Sequence, residues 1–528
     1  MNKFLVFFIL SMVHPLFSGS IKIIPYDWVG QFGLFKQNGR VLFNTDWKSK
    51  KLLFDGVLSN YPTMYGADIE NNFQEQLKPN FIQKSIDSSI FLSKINYKQG
   101  DFSLDQFSFH LDSKQKNRSY DLIGFKRSYF GNQNQYFHNS LQPIQQSYIG
   151  TFSSKKDNNL GSISIGHFNT YSGFPDIVDQ SYLSNRITNA NTHFQHSKGK
   201  LNFIFSLDNF LQRYKSNHSL ALTSDSRYLT RNTVQGKVES SVNHNIEYSL
   251  GFILNKRSLQ LDSILNQNWN NYYLSAGFGG IGIYFDLASI GDSHVYNFVA
   301  DIEKSTKNFD FIFCLKEENK PIHPYYYFKN SDIRLKLIEK NRFNSFTAKW
   351  RSKQNTLLSR ISSVKEINPN WINKAETQTI YLEYINTMLP TFEFGLFYNK
   401  EKYITYQTGG LGDWIALDLK SNFKTFSGYM DITLKVNVKH FSETLSNVYF
   451  NPIEFVPIFS TDNIKTQEMN ILNGTIGIKV SSFVIQYSWI NMLELFNYYK
   501  KGTEVQFNPE MPLNGSQKSL TIKWHFKD

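Results

Sequence analysis

The chain of 528 residues carries one cysteine, Cys314. No intramolecular disulfide can form, so hydrogen bonding and packing alone must hold the protein together. A lone thiol also lacks an activating partner, and Cys314 reads as a buried or lumenal thiol without chemistry of its own. Beyond residue 20 no apolar run reaches the length of a membrane-crossing helix. The G-x-S-x-G elbow, the H-E-x-x-H zinc helix, the Walker loop and the GxGxxG turn are all absent, so no enzyme, cofactor or metal site is expected. A lipase or protease site assembled from separate strands is the one enzymatic reading left open. The 12 histidines are not spaced as ligand pairs. His193 and His196, three apart across an expected hairpin turn, point to opposite faces of a strand. No repeat with a period of roughly 20 to 50 residues is visible, which leaves propellers and solenoids without support. Basic residues exceed acids by 56 to 44 but form no blocks. The excess reads as solvated surface or lumen, with no nucleic-acid partner.

Aromatics, by contrast, are abundant: 47 Phe and 30 Tyr help to make 16% of the chain, yet the mean hydropathy is −0.39. A chain both aromatic and hydrophilic fits a wall whose oily face alternates residue by residue with a wet one. At the N-terminus, Lys3, an apolar run from Phe4 to Val13, the break His14-Pro15 and the small residues Ser18-Gly19-Ser20 have the layout of a signal peptide over residues 1–20. No cysteine follows the run, so no lipoprotein anchor is expected. Residues 21–84 are irregular and read as an N-terminal periplasmic or lumenal segment, with short strand candidates at Arg40 to Phe43 and Lys51 to Leu58.

Residues 85–528 alternate persistently. Ile246, Tyr248, Leu250, Phe252 and Leu254 form one row; Met430, Ile432, Leu434, Val436 and Val438 another. Phe309, Phe311, Phe313 and Leu315 repeat the pattern, as do Phe392, Phe394, Leu396 and Tyr398. Each period-2 segment runs roughly ten residues, the length a tilted strand needs to cross a bilayer. Turn chemistry at Lys98-Gln99-Gly100-Asp101, Lys156-Asp157-Asn158-Asn159, Ser197-Lys198-Gly199-Lys200 and Gly279-Gly280 alternates with longer polar stretches: 130–144, 173–185, 214–230, 317–332 and 441–467. The fold class expected is all-β, a transmembrane antiparallel up-and-down barrel of roughly 18–22 strands.

The terminal strand has Leu520, Ile522, Trp524 and Phe526 on one face, and its Trp-x-Phe ending resembles the C-terminal insertion signal of Gram-negative outer-membrane barrels, although Lys527 and Asp528 follow it. From about Asp87 to Phe526 the chain resembles such barrels in architecture. Its aromatic, Asn- and Lys-rich texture looks most like the porin-like and plug-lacking TonB-receptor-like barrels of Bacteroidota. The resemblance implies the cell outer membrane, its lipid and the barrel assembly machinery as surroundings, and a periplasmic or lipoprotein partner. Residues 21–84 are less than half the length of a TonB-receptor plug and show no energy-coupling box.

Selectivity in a barrel resides in inward-facing residues. The alternation turns Arg334, Lys336, Lys349, Arg351, Lys435, Lys439, Lys479 and Lys523 inward, together with Glu247, Asp286, Asp310, Glu383, Glu393 and Asp431. Mixed opposite charges are the ordinary state of a wet interior, and the basic excess gives a weak preference for anions. The loop cluster Tyr325, Tyr326, Tyr327 and Phe328 offers either a stacking surface for a planar ligand or loop packing. The reading is a channel for diffusion of small hydrophilic solutes. The alternative is a plug-less receptor or transporter working with a partner chain. A barrel of the larger strand count is expected to stand as a monomer.

Overall fold

The alternating rows become strands, and from Ile90 to Lys527 each barrel strand hydrogen-bonds to the next barrel strand along the chain. The computed structural model describes residues 34–37, 40–43, 90–131, 142–173, 182–217, 226–242, 246–260, 264–321, 338–368, 372–389, 391–403, 412–451, 456–496 and 515–527. Within them, 22 strands form one closed antiparallel barrel, the upper end of the range the alternation gives. Closure is made by the strand Gln517–Lys527 against Ile90–Gly100, with Ser519 opposite Gly100 and Lys527 opposite Leu92. A closed ladder leaves no edge, so no backbone N–H or C=O faces hydrocarbon unpaired.

The two rims differ. At one, the connections 115–117, 157–158, 199–200, 243–245, 279–280, 306–308, 352–354, 390–391, 426–429 and 481–482 are all short, and both Ile90 and Lys527 lie there. At the other, connections extend to 442–468 and 491–516. Gly280 shows what a tight turn demands: its φ is +89°, and a Cβ there would meet the Glu303 carbonyl at 2.3 Å. The turn 101–103, grouped by its chemistry with the short hairpins, belongs to the long-loop rim.

Several stretches that read as loops are partly strand. Strands extend to Pro321 and to Ser216, and begin at Tyr182 and Ser226. Within 442–468, Thr444–Asn451 pairs with Val456–Thr466 as a separate hairpin. Above the hydrocarbon a strand no longer needs an oily row, so its sequence loses the signal by which strands are recognised. Similarly, His193 and His196 do not flank a turn. Both lie inside Tyr182–Lys198, on opposite faces: His193 is buried beside Ser206 (3.3 Å), and His196 contacts Asn159 (2.8 Å). Upstream, Leu34–Gln37 pairs with Arg40–Phe43. Residues 1–33 and the candidate strand from Lys51 to Leu58 lie outside the described residues. The one described α-helix is the single turn Met492–Phe496.

The outer surface is a belt of exposed Phe, Leu, Ile and Tyr. Leu201, Phe203, Phe205, Leu207 and Leu211 are all exposed on one strand, and Phe309, Phe311, Phe313 and Leu315 on another. An apolar surface of this extent cannot face water. The rise from Leu201 to Leu211 is about 25 Å after allowing for strand tilt, the height of a transmembrane barrel's apolar band. On the terminal strand, Leu520, Trp524 and Phe526 belong to this belt. Trp524 lies 4.6 Å from the Phe526 ring and edge-on to Phe483.

Leu250 sits midway along its row and is 63% exposed. Leu250→Arg is expected to lower barrel stability by about 2–4 kcal/mol, read from urea unfolding in phospholipid vesicles. Arg at Lys256, beyond the end of the row, is expected to leave stability unchanged.

Candidate functional site: the lumenal wall

Opposite each exposed row lies a second row that faces the barrel axis. Register fixes its membership. Glu247 shares a face with Ser249, whose hydroxyl meets that of Ser275 at 2.7 Å. Asp286 is opposite Asn297, Asp310 opposite Lys349, and Glu383 opposite Phe397. Glu393 is opposite Lys420, which is opposite Lys435; Asp431 is opposite Lys479, and Lys439 opposite Ile471. Lys523 shares its face with Gln486 and donates to it at 3.2 Å. Arg334, Lys336 and the aromatic cluster Tyr325 to Phe328 lie outside the described residues.

Much of the inward charge is answered locally. Asp310, 1% exposed, pairs with Arg351. Lys316 pairs with Glu318 at 3.2 Å, Lys237 with Glu239 at 2.5 Å, Lys114 with Asp112 at 2.7 Å and Lys420 with Glu393 at 3.4 Å. Asp286 accepts from Asn271 (2.7 Å) and Asn297 (3.0 Å), an amide clamp that satisfies one carboxylate oxygen without a cation.

The sector around the closure differs. The four consecutive strands Met469–Val480, Phe483–Ile490, Gln517–Lys527 and Ile90–Gly100 place Lys479, Lys523, His525, Lys94 and Lys98 inward, with no carboxylate on that face among the described residues. Lys435 adjoins them on Met430–Phe441, whose Asp431, opposite Lys479, is the acid bordering the sector, and Lys435, Lys479 and His525 are exposed to the lumen. Lys94 and Lys98 were missed by sequence reading because Phe91 and Leu92 are both apolar, which blurs the phase of that strand. The Ile95 and Tyr97 positions, both exposed outward, carry the signal that recovers it.

Toward the long-loop rim the inward face is not wet. Phe168, Leu183, Ile187, Phe210 and Tyr214 on three adjacent strands, and Trp414, Phe441 and Met469 farther around, are each at most 5% exposed. Arg227 lies 4.2 Å over the Tyr214 ring, and Tyr381, Trp414 and Phe441 form a chain of ring contacts. Polar groups between them are equally dry: Gln212 donates to Asn185 at 2.9 Å, and Asn185, Asn189 and Thr170 are fully buried. A wall lining an open water column would leave these side chains hydrated, and it does not.

Among the described residues no cluster of three or more His, Cys, Asp or Glu is placed to hold a metal ion. Cys314 faces inward on Phe309–Pro321, half-buried.

No known family model matches the sequence, and no curated protein matches it by sequence. The fold, however, is similar to solved structures. The FrpB iron transporter of Neisseria meningitidis (F5-1 variant) aligns over 84% of this chain and 83% of its own, with TM-score 0.66 and 9% identity. A siderophore receptor, PirA, from Acinetobacter baumannii covers 84% and 81% with TM-score 0.65 and 8% identity. A mutant of the ferric enterobactin receptor PfeA from Pseudomonas aeruginosa covers 84% and 81%, with TM-score 0.64 and 7% identity. At such identities the likeness is one of fold: a 22-strand barrel shared with outer-membrane receptors.

Arg351→Ala strands the buried Asp310 carboxylate without its partner, and a loss of about 3 kcal/mol is expected. Asp310→Asn in the same chain should recover most of it, measured by urea unfolding of the two variants side by side.

Proposed function

We propose that this chain is an outer-membrane receptor and transporter barrel that takes up an anionic ligand, in the manner of a metal chelate, with the help of a partner on the short-turn side. The observation that carries the reading is the dry upper wall. Phe168, Ile187, Phe210, Trp414 and Phe441 face inward and are buried, whereas a diffusion pore of the kind expected from the sequence needs a hydrated lumen along its whole length. Strand number supports the same side: barrels of 16–18 strands leave an aqueous channel, and those of 22 strands are generally plugged transporters. The solved barrels of similar fold are named as an iron transporter and siderophore receptors.

The chemistry of the ligand follows from the carboxylate-free sector. Lys94, Lys479, Lys523 and His525 offer positive charge at a partly hydrated wall, where field lines are focused and an anion is drawn along the passage. A barrel that is normally closed needs an energy source to open, which is the part assigned to the partner chain. The aromatic residues Tyr325 to Phe328, in the connection following Pro321, are proposed to take part in ligand capture from outside.

Planar-bilayer recording separates the two readings. Wild-type protein is expected to give no steady wide conductance; a large ohmic conductance in every insertion would return the assignment to a diffusion pore. For ligand sign, cells carrying Lys435→Gln, Lys479→Gln and Lys523→Gln together are expected to accumulate an anionic ferric chelate about tenfold more slowly. Uptake unaltered in that variant, with barrel levels equal, would remove the anion assignment.

A further inference from the structure

On the outer face, above the apolar band, Arg186 and Arg213 are direct cross-strand partners. Two guanidinium groups facing each other on one side of a sheet repel, and such a pair persists only where an anion or a screening layer offsets the cost. Lys215 is the next outward position on the same strand, opposite Ser184 and Ser226. Arg213 lies 5.8 Å over the Tyr228 ring, and its Nε has no hydrogen-bond partner although it is buried. Across the six consecutive strands from Ile144–Lys156 to Ile246–Gln260, the outward face holds no carboxylate among the described residues.

One other part of the rim handles charge differently. On Phe309–Pro321 and Ile338–Arg351, the outward cations Lys340 and Arg342 are both answered by Glu317, the latter at 2.9 Å. Among the described residues, Arg186, Arg213 and Lys215 have no such acid. Their height identifies what neutralises them. Leu211, still 43% exposed, ends the apolar row, and Arg213 is the next outward residue, about 5 Å higher along the tilted strand. That is the level of lipid headgroups, where an anion is fixed at high local concentration.

We infer that Arg186, Arg213 and Lys215 form a binding site on the outer wall for the phosphate of a lipid headgroup in the leaflet bordering the long-loop rim. Two planar guanidinium groups grip a phosphate through paired N–H donors, the Lys215 ammonium adds a point charge, and Tyr228 supports Arg213 from beneath.

The test uses the full-length refolded barrel and native mass spectrometry after incubation with diphosphoryl lipid A. Wild type is expected to retain one lipid, and the variant with Arg186→Gln, Arg213→Gln and Lys215→Gln to bind about tenfold more weakly. Enzymatically dephosphorylated lipid A is expected to bind wild type as weakly as the phosphorylated lipid binds the variant. Competition by inorganic phosphate at equal concentration should not displace the lipid. Equal retention by wild type and variant, or indifference to dephosphorylation, would overturn the site, and displacement by inorganic phosphate would reassign it to a free anion. Since Arg186 is exposed, the single Arg186→Gln chain folds regardless of the triple variant's fate, and unchanged lipid retention in it would count equally against the proposal.

Discussion

Inside a bilayer a backbone amide has only another backbone amide to bond to, and every feature of this molecule follows from that constraint. Each of the 22 strands hydrogen-bonds on both sides, and the last does so with the first. Because the ladder consumes all main-chain donors and acceptors, specificity is left to side chains, which alternate between hydrocarbon and interior. The oily row can therefore be monotonous, with Phe, Leu and Ile interchangeable, while the inner row differs at every level.

That inner row is graded. Near the short-turn rim it is charged, paired in most places, and without acids on the four strands that flank the closure. Near the long-loop rim it is aromatic, amide-rich and buried, and among its charges Arg227 and Lys316, the latter paired with Glu318, are buried with it. The passage is thus dry at the loop side and carries its exposed positive charge at the short-turn side.

Period-2 alternation made the barrel legible because the oily row is continuous over ten residues on most strands, as from Leu201 to Leu211 or Ile246 to Leu254. Where both faces are apolar the phase disappears. In Asn209-Phe210-Leu211-Gln212-Arg213-Tyr214, Leu211 faces outward while Phe210 and Tyr214 face in, and the stretch resembles neither a lumen strand nor a loop. The dry upper wall was invisible for this reason: an inward Phe is read from sequence as an outward one shifted by a residue. Arg186 and Arg213 were equally hidden, since only register brings residues of two strands to the same point. That the four strands flanking the closure carry no acid on their inward face could not be read from alternation, because it depends on the first strand meeting the last.

The closing ladder joins segments far apart in the chain: Lys518 donates its backbone N–H to Asp101, 417 residues away. Contacts of such separation form last, because loop-closure entropy must be overcome before they contribute. Until the final strand pairs with the first, the wall is an open sheet with two exposed edges and an oily face. Such an intermediate aggregates unless it is held. The order of residues in this chain therefore leaves closure of the whole wall to its last eleven residues of strand, Gln517–Lys527.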